Sequence, residues 1–148
     1  MGKMHFRCYK SHKNIEVVAI CDADLKQLKD TSGVKGNISG AEEKLDLSNI
    51  SLYSDLSKML AEEKLDAVSI ATPTFLHATH SIEALEAGLH VLCEKPMALN
   101  SADCLKMSAA AKHSGKILQV GHCIRFWPEY VQAKEIIDSQ KYGNVLAA

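Results

Sequence analysis

The strongest constraint on this chain is a repeated alternation of short β-branched runs with amphipathic helical patterns. Residues 15–21, Ile-Glu-Val-Val-Ala-Ile-Cys, form a nearly continuous apolar run that stops at Asp22. Such a run suits a strand of a parallel sheet buried on both faces. Residues 66–71, 89–93 and 116–121 repeat the pattern, and residues 50–53 give a shorter fifth example. Between them, residues 55–63 place Leu56, Met59 and Leu60 on one helical face. Residues 77–87 do the same with Ile82 and Leu85, and residues 101–113 with Cys104, Met107 and Ala111. Alternation with short turns predicts an α/β fold with a doubly wound parallel sheet. In that fold, ligands bind beyond the carboxyl ends of the strands.

The punctuation agrees with these boundaries. Asn100 is placed to cap the helix that follows it, with Asp103 standing in for the glutamate of a capping box. Gly88 and Gly115 fall where helices should stop. Residues 31–49 carry Gly33, Gly36 and Gly40 without a clear period and read as a surface excursion. After Gly121 the pattern changes to a turn-rich stretch, a helix over residues 129–139, and the expected start of a new strand at residues 142–146.

Composition narrows the function classes. A formal net charge of −1 gives no electrostatic footprint for nucleic acid or an anionic membrane. No apolar run approaches the ~20 residues of a spanning helix, and the first residues hold no secretory h-region, so the expected address is cytoplasmic. The five cysteines, Cys8, Cys21, Cys93, Cys104 and Cys123, include no Cys-x-x-Cys pair, and read mostly as small apolar residues.

Chemistry is expected just after the strands. Asp22 ends one, where dinucleotide-binding folds place an acidic residue that accepts from the adenosine ribose hydroxyls; an isolated aspartate there also serves as a cap or turn residue. Gly2 stands twenty residues earlier at the head of a helical pattern, as the last glycine of a G-x-G-x-x-G loop would. Thr72-Pro73-Thr74 follows another strand, with the proline fixing a turn and Thr74 placed to cap the next helix. This triplet is equally a plain strand-to-helix turn or a cofactor contact. His77 and His80 lie three apart on that helix, without a third ligand to complete a metal site, so no metal is expected. Glu94-Lys95-Pro96 follows a third strand. The Lys95 ammonium either decorates an exposed loop or stabilises an alkoxide as hydride leaves carbon.

Taken together, the segments Met1-Gly2-Lys3-Met4-His5, Val18-Ala19-Ile20-Cys21-Asp22, and residues 67–74 with His77 are the first half of a family pattern. Gly88-Leu89-His90-Val91-Leu92-Cys93-Glu94-Lys95-Pro96 and Val120-Gly121-His122 with Arg125, Phe126 and Pro128 complete it. In order and spacing the chain resembles the glucose-fructose oxidoreductase, inositol dehydrogenase and rhizopine-catabolism family. Its Glu-Lys-Pro element is the specific part.

The resemblance implies a Rossmann domain over residues 1–122, with residues 123–148 leading into a second α/β domain that covers the cleft and mediates homo-oligomers. It implies hydride transfer between NAD(P) and a sugar, cyclitol or related alcohol or carbonyl carbon. Cofactor contacts are implied at Gly2, Met4, Asp22, Thr72, Pro73, Thr74, His77, Glu94, Lys95, Pro96 and Arg125. Lys95 is implied as the catalytic group, and the peptide before the following proline is often cis. Asp22, with no arginine beside it, favours NAD over NADP.

The family's first strand and leading glycines are expected to lie before Met1, and its acid/base histidine in the second domain. Residues 1–148 alone are therefore expected to bind cofactor poorly. In the strand order 3-2-1-4-5-6 this leaves the strand ending at Cys21 unpaired with the one ending at Ala71. The competing reading is a dinucleotide-sensing regulator without turnover, or a fragment without function; Lys95 favours the enzyme.

Overall fold

The computed structural model describes residues 1–29 and 46–146. Helix α1 (Gly2–Lys10) is followed by β1 (Ala19–Cys21), α2 (Leu25–Lys29), β2 (Ser51–Tyr53) and α3 (Leu56–Glu62). Then come β3 (Ala67–Ile70), α4 (Thr74–Glu86), β4 (His90–Cys93), α5 (Ser101–Ser114) and β5 (Leu118–Val120). A 3₁₀ turn, Cys123–Phe126, leads into α6 (Pro128–Ser139). The excursion expected over residues 31–49 lies largely outside the described residues. The strand expected at 142–146 is not formed: residues 143–146 have no regular structure.

Among the described residues all strand pairs are parallel, in two sheets: β1-β2, and β3-β4-β5. β1 does not pair with β3, as expected for an order in which another strand stands between them. Side chains alternate across a strand, so the register Val68↔Val91 and Ile70↔Cys93 sends these four residues to one face. There they meet Ala84 and Leu85 of α4 and Met107 of α5 in the buried core. Each large side chain so buried contributes roughly 1.5–3 kcal/mol. The opposite face carries Ser69 and its register partner Leu92, and α1 packs on β3.

Local chemistry sets the helix ends. Asn100 Oδ1 accepts from the Asp103 backbone N–H at 2.9 Å, as expected of a cap. Asp103 does not reach back to the backbone, however. It accepts instead from Asn100 Nδ2 and Lys106 Nζ, each at 2.9 Å, because aspartate is one methylene shorter than the glutamate of a capping box. Asp55 caps α3 through Lys58 N at 2.7 Å. Thr74 does not cap α4: it is the first helical residue, and Pro73 occupies the cap position without a side-chain bond. Gly115 ends α5 at φ 68°, a left-handed conformation that glycine adopts without a Cβ penalty. Only Cys93 of the cysteines is a core residue; Cys8 and Cys123 are exposed, and all five are unpaired thiols.

Candidate cofactor-binding and catalytic site

Because the strands are parallel, each motif falls at a carboxyl end of its sheet. Asp22 follows β1, where its N–H donates to the Tyr53 carbonyl at 2.9 Å. Its Oδ1 accepts from Asp24 N at 2.8 Å, closing an exposed turn. Thr72, Glu94 and His122 follow β3, β4 and β5. The strand hydrogen bonding runs on past β3 and β4, with Glu94 N donating to the Ile70 carbonyl and Gly121 N to the Cys93 carbonyl, both at 2.8 Å.

The amino end of α1 lies beside the same edge. A Cβ on Gly2 would sit 3.8 Å from the Ala71 Cβ. Residues 2, 5, 6 and 9 share one helical face by their spacing. Gly2 meets Ala71, Phe6 is buried, and the rings of His5 and Tyr9 meet edge-on at 6.1 Å. Met4 is half-buried on the same helix. The first N–H groups of a helix have no intrahelical acceptor, so this end can take the oxygens of an anion.

His5 joins three elements. Its Nδ1 lies 2.7 Å from Ser69 Oγ on β3, and its Nε2 lies 2.9 Å from Glu94 Oε1 after β4. Glu94 is buried, and its other oxygen accepts from the Lys95 backbone N–H at 3.0 Å. Gly121 lies against the same carboxylate, 3.5 Å from where its Cβ would be. The sequence reading gave His5 no role. Its signal was the stripe at 2, 5, 6 and 9, in which a histidine interrupts an otherwise packing face.

His77 forms a second brace. The ring is 1% exposed, with Nδ1 2.8 Å from the Pro96 carbonyl and Nε2 2.8 Å from the Thr72 carbonyl. It therefore ties the turn after β3 to the loop after β4, and both ring nitrogens face protein carbonyls. The Lys95–Pro96 peptide is cis. His80 Nδ1 lies 3.5 Å from Thr72 Oγ1, and burial holds this imidazole below its ordinary pKa range. Among the described residues no three His, Cys, Asp or Glu side chains are grouped to hold a metal ion. Lys95 and Pro96 are exposed at the loop, and among the described residues no carboxylate forms an ion pair with the Lys95 ammonium. Pro73 is exposed and Thr74 half-buried beside them in chain order, while Arg125 is exposed on the 3₁₀ turn that follows β5.

Two parallel sheets whose strands alternate with helices, with a glycine-headed helix, a strand-end aspartate and a lysine loop at carboxyl edges, have the architecture of the Rossmann class. The chain belongs to the oxidoreductase family with an NAD-binding Rossmann fold that includes glucose-fructose oxidoreductase, inositol dehydrogenase and rhizopine-catabolism proteins, matched over residues 1–122. It is 36% identical over 133 residues to 1-carboxy-3-chloro-3,4-dihydroxycyclohexa-1,5-diene dehydrogenase of Comamonas testosteroni, covering 90% of this chain and 30% of that protein. It is 33% identical over 148 residues to inositol 2-dehydrogenase of Salmonella typhimurium, covering 99% of this chain and 41% of that protein. Among solved structures, the WlbA dehydrogenase of Bordetella pertussis, in complex with NADH and UDP-GlcNAcA, superposes with a TM-score of 0.79 at 31% identity. The match covers 96% of this chain and 38% of that one. The chain thus spans 30–41% of the length of these relatives. No helix among the described residues is long and apolar enough to cross a membrane.

Proposed function

We propose that the protein is an NAD-dependent oxidoreductase that moves hydride between the cofactor and an alcohol or carbonyl carbon of a sugar, cyclitol or related small molecule. The observation that carries this reading is the position of Lys95. It follows β4 at the sheet edge that α1's amino end also meets, on a loop braced by Glu94 and His77. Residues 1–122 form the cofactor domain, and residues 123–148 lead into a substrate and oligomerisation domain. The protein works in the cytoplasm as a homo-oligomer, without nucleic-acid or membrane partners.

The α1 amino end, with Gly2 admitting close approach and Met4 beside it, faces the pyrophosphate. Asp22 accepts from the adenosine ribose hydroxyls and disfavours a 2′-phosphate, giving NAD preference over NADP. Thr72, Pro73, Thr74, Pro96 and Arg125 line the path to the nicotinamide end. Glu94 and His77, whose polar atoms are engaged within the protein, shape that path rather than bind along it. When bound, NAD supplies the hydride acceptor. Lys95 then holds its ammonium hydrogens on the reacting substrate oxygen, so that negative charge developing there is met by a fixed cation.

The test is turnover by the full-length protein with NAD across myo-inositol, D-glucose and other cyclitols and sugars, followed by nicotinamide absorbance, with NADH titrated by fluorescence. Reduction of NAD with at least one polyol is expected. Tight NADH binding without turnover on any polyol, or on the matching ketones with NADH, would replace the enzyme by a dinucleotide sensor.

A further inference from the structure

We propose that His5 is a positioning residue for Lys95, acting through Glu94, so that the helix facing the cofactor pyrophosphate and the lysine facing the substrate are set by one hydrogen-bonded chain. The proposal rests on the reading of Lys95 given above.

The Glu94 carboxylate gives the chain its direction. An ionised carboxylate only accepts. Oε2 of Glu94 takes the Lys95 N–H, and Oε1 faces His5 Nε2, so Nε2 carries the ring hydrogen and donates. In the neutral ring Nδ1 is then the acceptor, and the Ser69 hydroxyl at 2.7 Å donates to it. Ser69 sets the ring, the ring sets the carboxylate, and the carboxylate holds the main chain from which the Lys95 side chain springs. Glu94 is buried, so this acceptor has no bulk water to replace a lost donor. The residues joined are 64 and 89 positions apart in sequence, and the contacts form only when α1, β3 and β4 are packed together.

Two isosteric truncations separate positioning from packing. Glutamine places its amide nitrogen as many bonds from the backbone as His5 Nε2, and keeps the donor to Glu94. Asparagine places its polar atoms where Nδ1 stands, and keeps a partner for Ser69 but not for Glu94. In the full-length protein, His5→Ala and His5→Asn should lower kcat by ~10–100-fold, the loss expected when a reacting group is misplaced by about 1 Å. The NADH Kd should move less than about 3-fold, since the N–H groups at the head of α1 remain. His5→Gln should recover most of the turnover. With NADH bound, peptides covering residues 94–97 should exchange amide hydrogen faster in His5→Ala and His5→Asn than in wild type or His5→Gln.

Turnover of His5→Asn equal to that of His5→Gln overturns the proposal, as does wild-type exchange at 94–97 in both His5→Ala and His5→Asn. If wild type turns over no polyol, the proposed function fails instead, and the exchange comparison still decides whether His5 governs the Lys95 loop. Should His5→Ala not fold, the glutamine and asparagine pair carries the same comparison.

Discussion

His5 Nε2 stands 2.9 Å from Glu94 Oε1, across 89 residues of sequence and between two separate elements of the fold. One is helix α1, whose amino end lies beside Ala71; the other is the loop that ends β4 and carries Lys95. His77 makes a parallel link from the turn after β3 to the Pro96 carbonyl. Together the two histidines hold the loops at this sheet edge from opposite sides of the chain order. The loops at this edge are therefore held by contacts within the protein itself, and fixed dipoles and charges of this kind are the ones that stabilise developing charge well.

On the proposed function, Lys95→Ala in the full-length protein should lower kcat by ~10²–10⁴-fold, about 3–5 kcal/mol, while NADH affinity changes little. Arginine should restore little of it, because a planar guanidinium neither fits nor donates as a compact ammonium does. Steady-state turnover beside a fluorescence titration of NADH checks both. An equal loss of cofactor affinity would make Lys95 a ribose-binding group.

Asp22→Ser should raise the efficiency with NADP relative to NAD by at least ~10-fold, about 1.4 kcal/mol, by removing a carboxylate that repels the 2′-phosphate. The ratio of kcat/KM for the two cofactors measures it. An unchanged ratio would return Asp22 to its turn, where Oδ1 already accepts from Asp24 N.

The strands were legible because parallel strands buried on both faces write themselves as apolar runs; the runs ending at Cys21, Ala71, Cys93 and Gly121 each contain an observed strand. Helix α2 was not, since Leu25 and Leu28 give too short a period to register, although Leu28 is buried. The motif residues after each strand were legible for the same reason as the strands. What the sequence did not display was which of them face inward. Glu94 and His77 read as ligand contacts from their place in a motif, yet their polar atoms meet His5, Lys95 N, and the Pro96 and Thr72 carbonyls. His5 drew no role because its partners, Ser69 and Glu94, are fixed by packing α1 on β3, a long-range contact of which the local pattern shows only the stripe at 2, 5, 6 and 9.

Asn100→Ala should destabilise the protein by about 1 kcal/mol, because the Asp103 N–H at the head of α5 loses its acceptor. Gly115→Ala should cost a similar ~1–2 kcal/mol from the left-handed φ of 68°. The two sites close opposite ends of one helix without sharing a partner, so the losses should add within about 0.5 kcal/mol. Urea unfolding of the single and double variants measures this.

Tyr53→Phe should change the shape of the stability–pH curve at its alkaline end. The Tyr53 hydroxyl donates to Glu63 Oε1 at 2.7 Å, and this bond to the carboxylate, ahead of burial, pushes the phenol up to about 12 from its ordinary 10. A group whose folded-state pKa is raised holds its proton better in the folded chain. Its contribution is fully present below the unfolded value near 10 and is lost as pH rises through the folded value near 12. Glu63 has the opposite sign: hydrogen bonds from Ser51 and then from Tyr53 hold its carboxyl below the usual range. Its contribution is therefore present above the unfolded value of 4.5 and lost as pH falls through the lowered folded value. Wild type should lose stability between pH 10 and 12 by a step that Tyr53→Phe lacks, and part of the acid-side step should shrink as well. Urea midpoints at pH 7, 10 and 11.5 for both proteins read the alkaline step; parallel curves across that window would mean the Tyr53–Glu63 bond does not hold in solution.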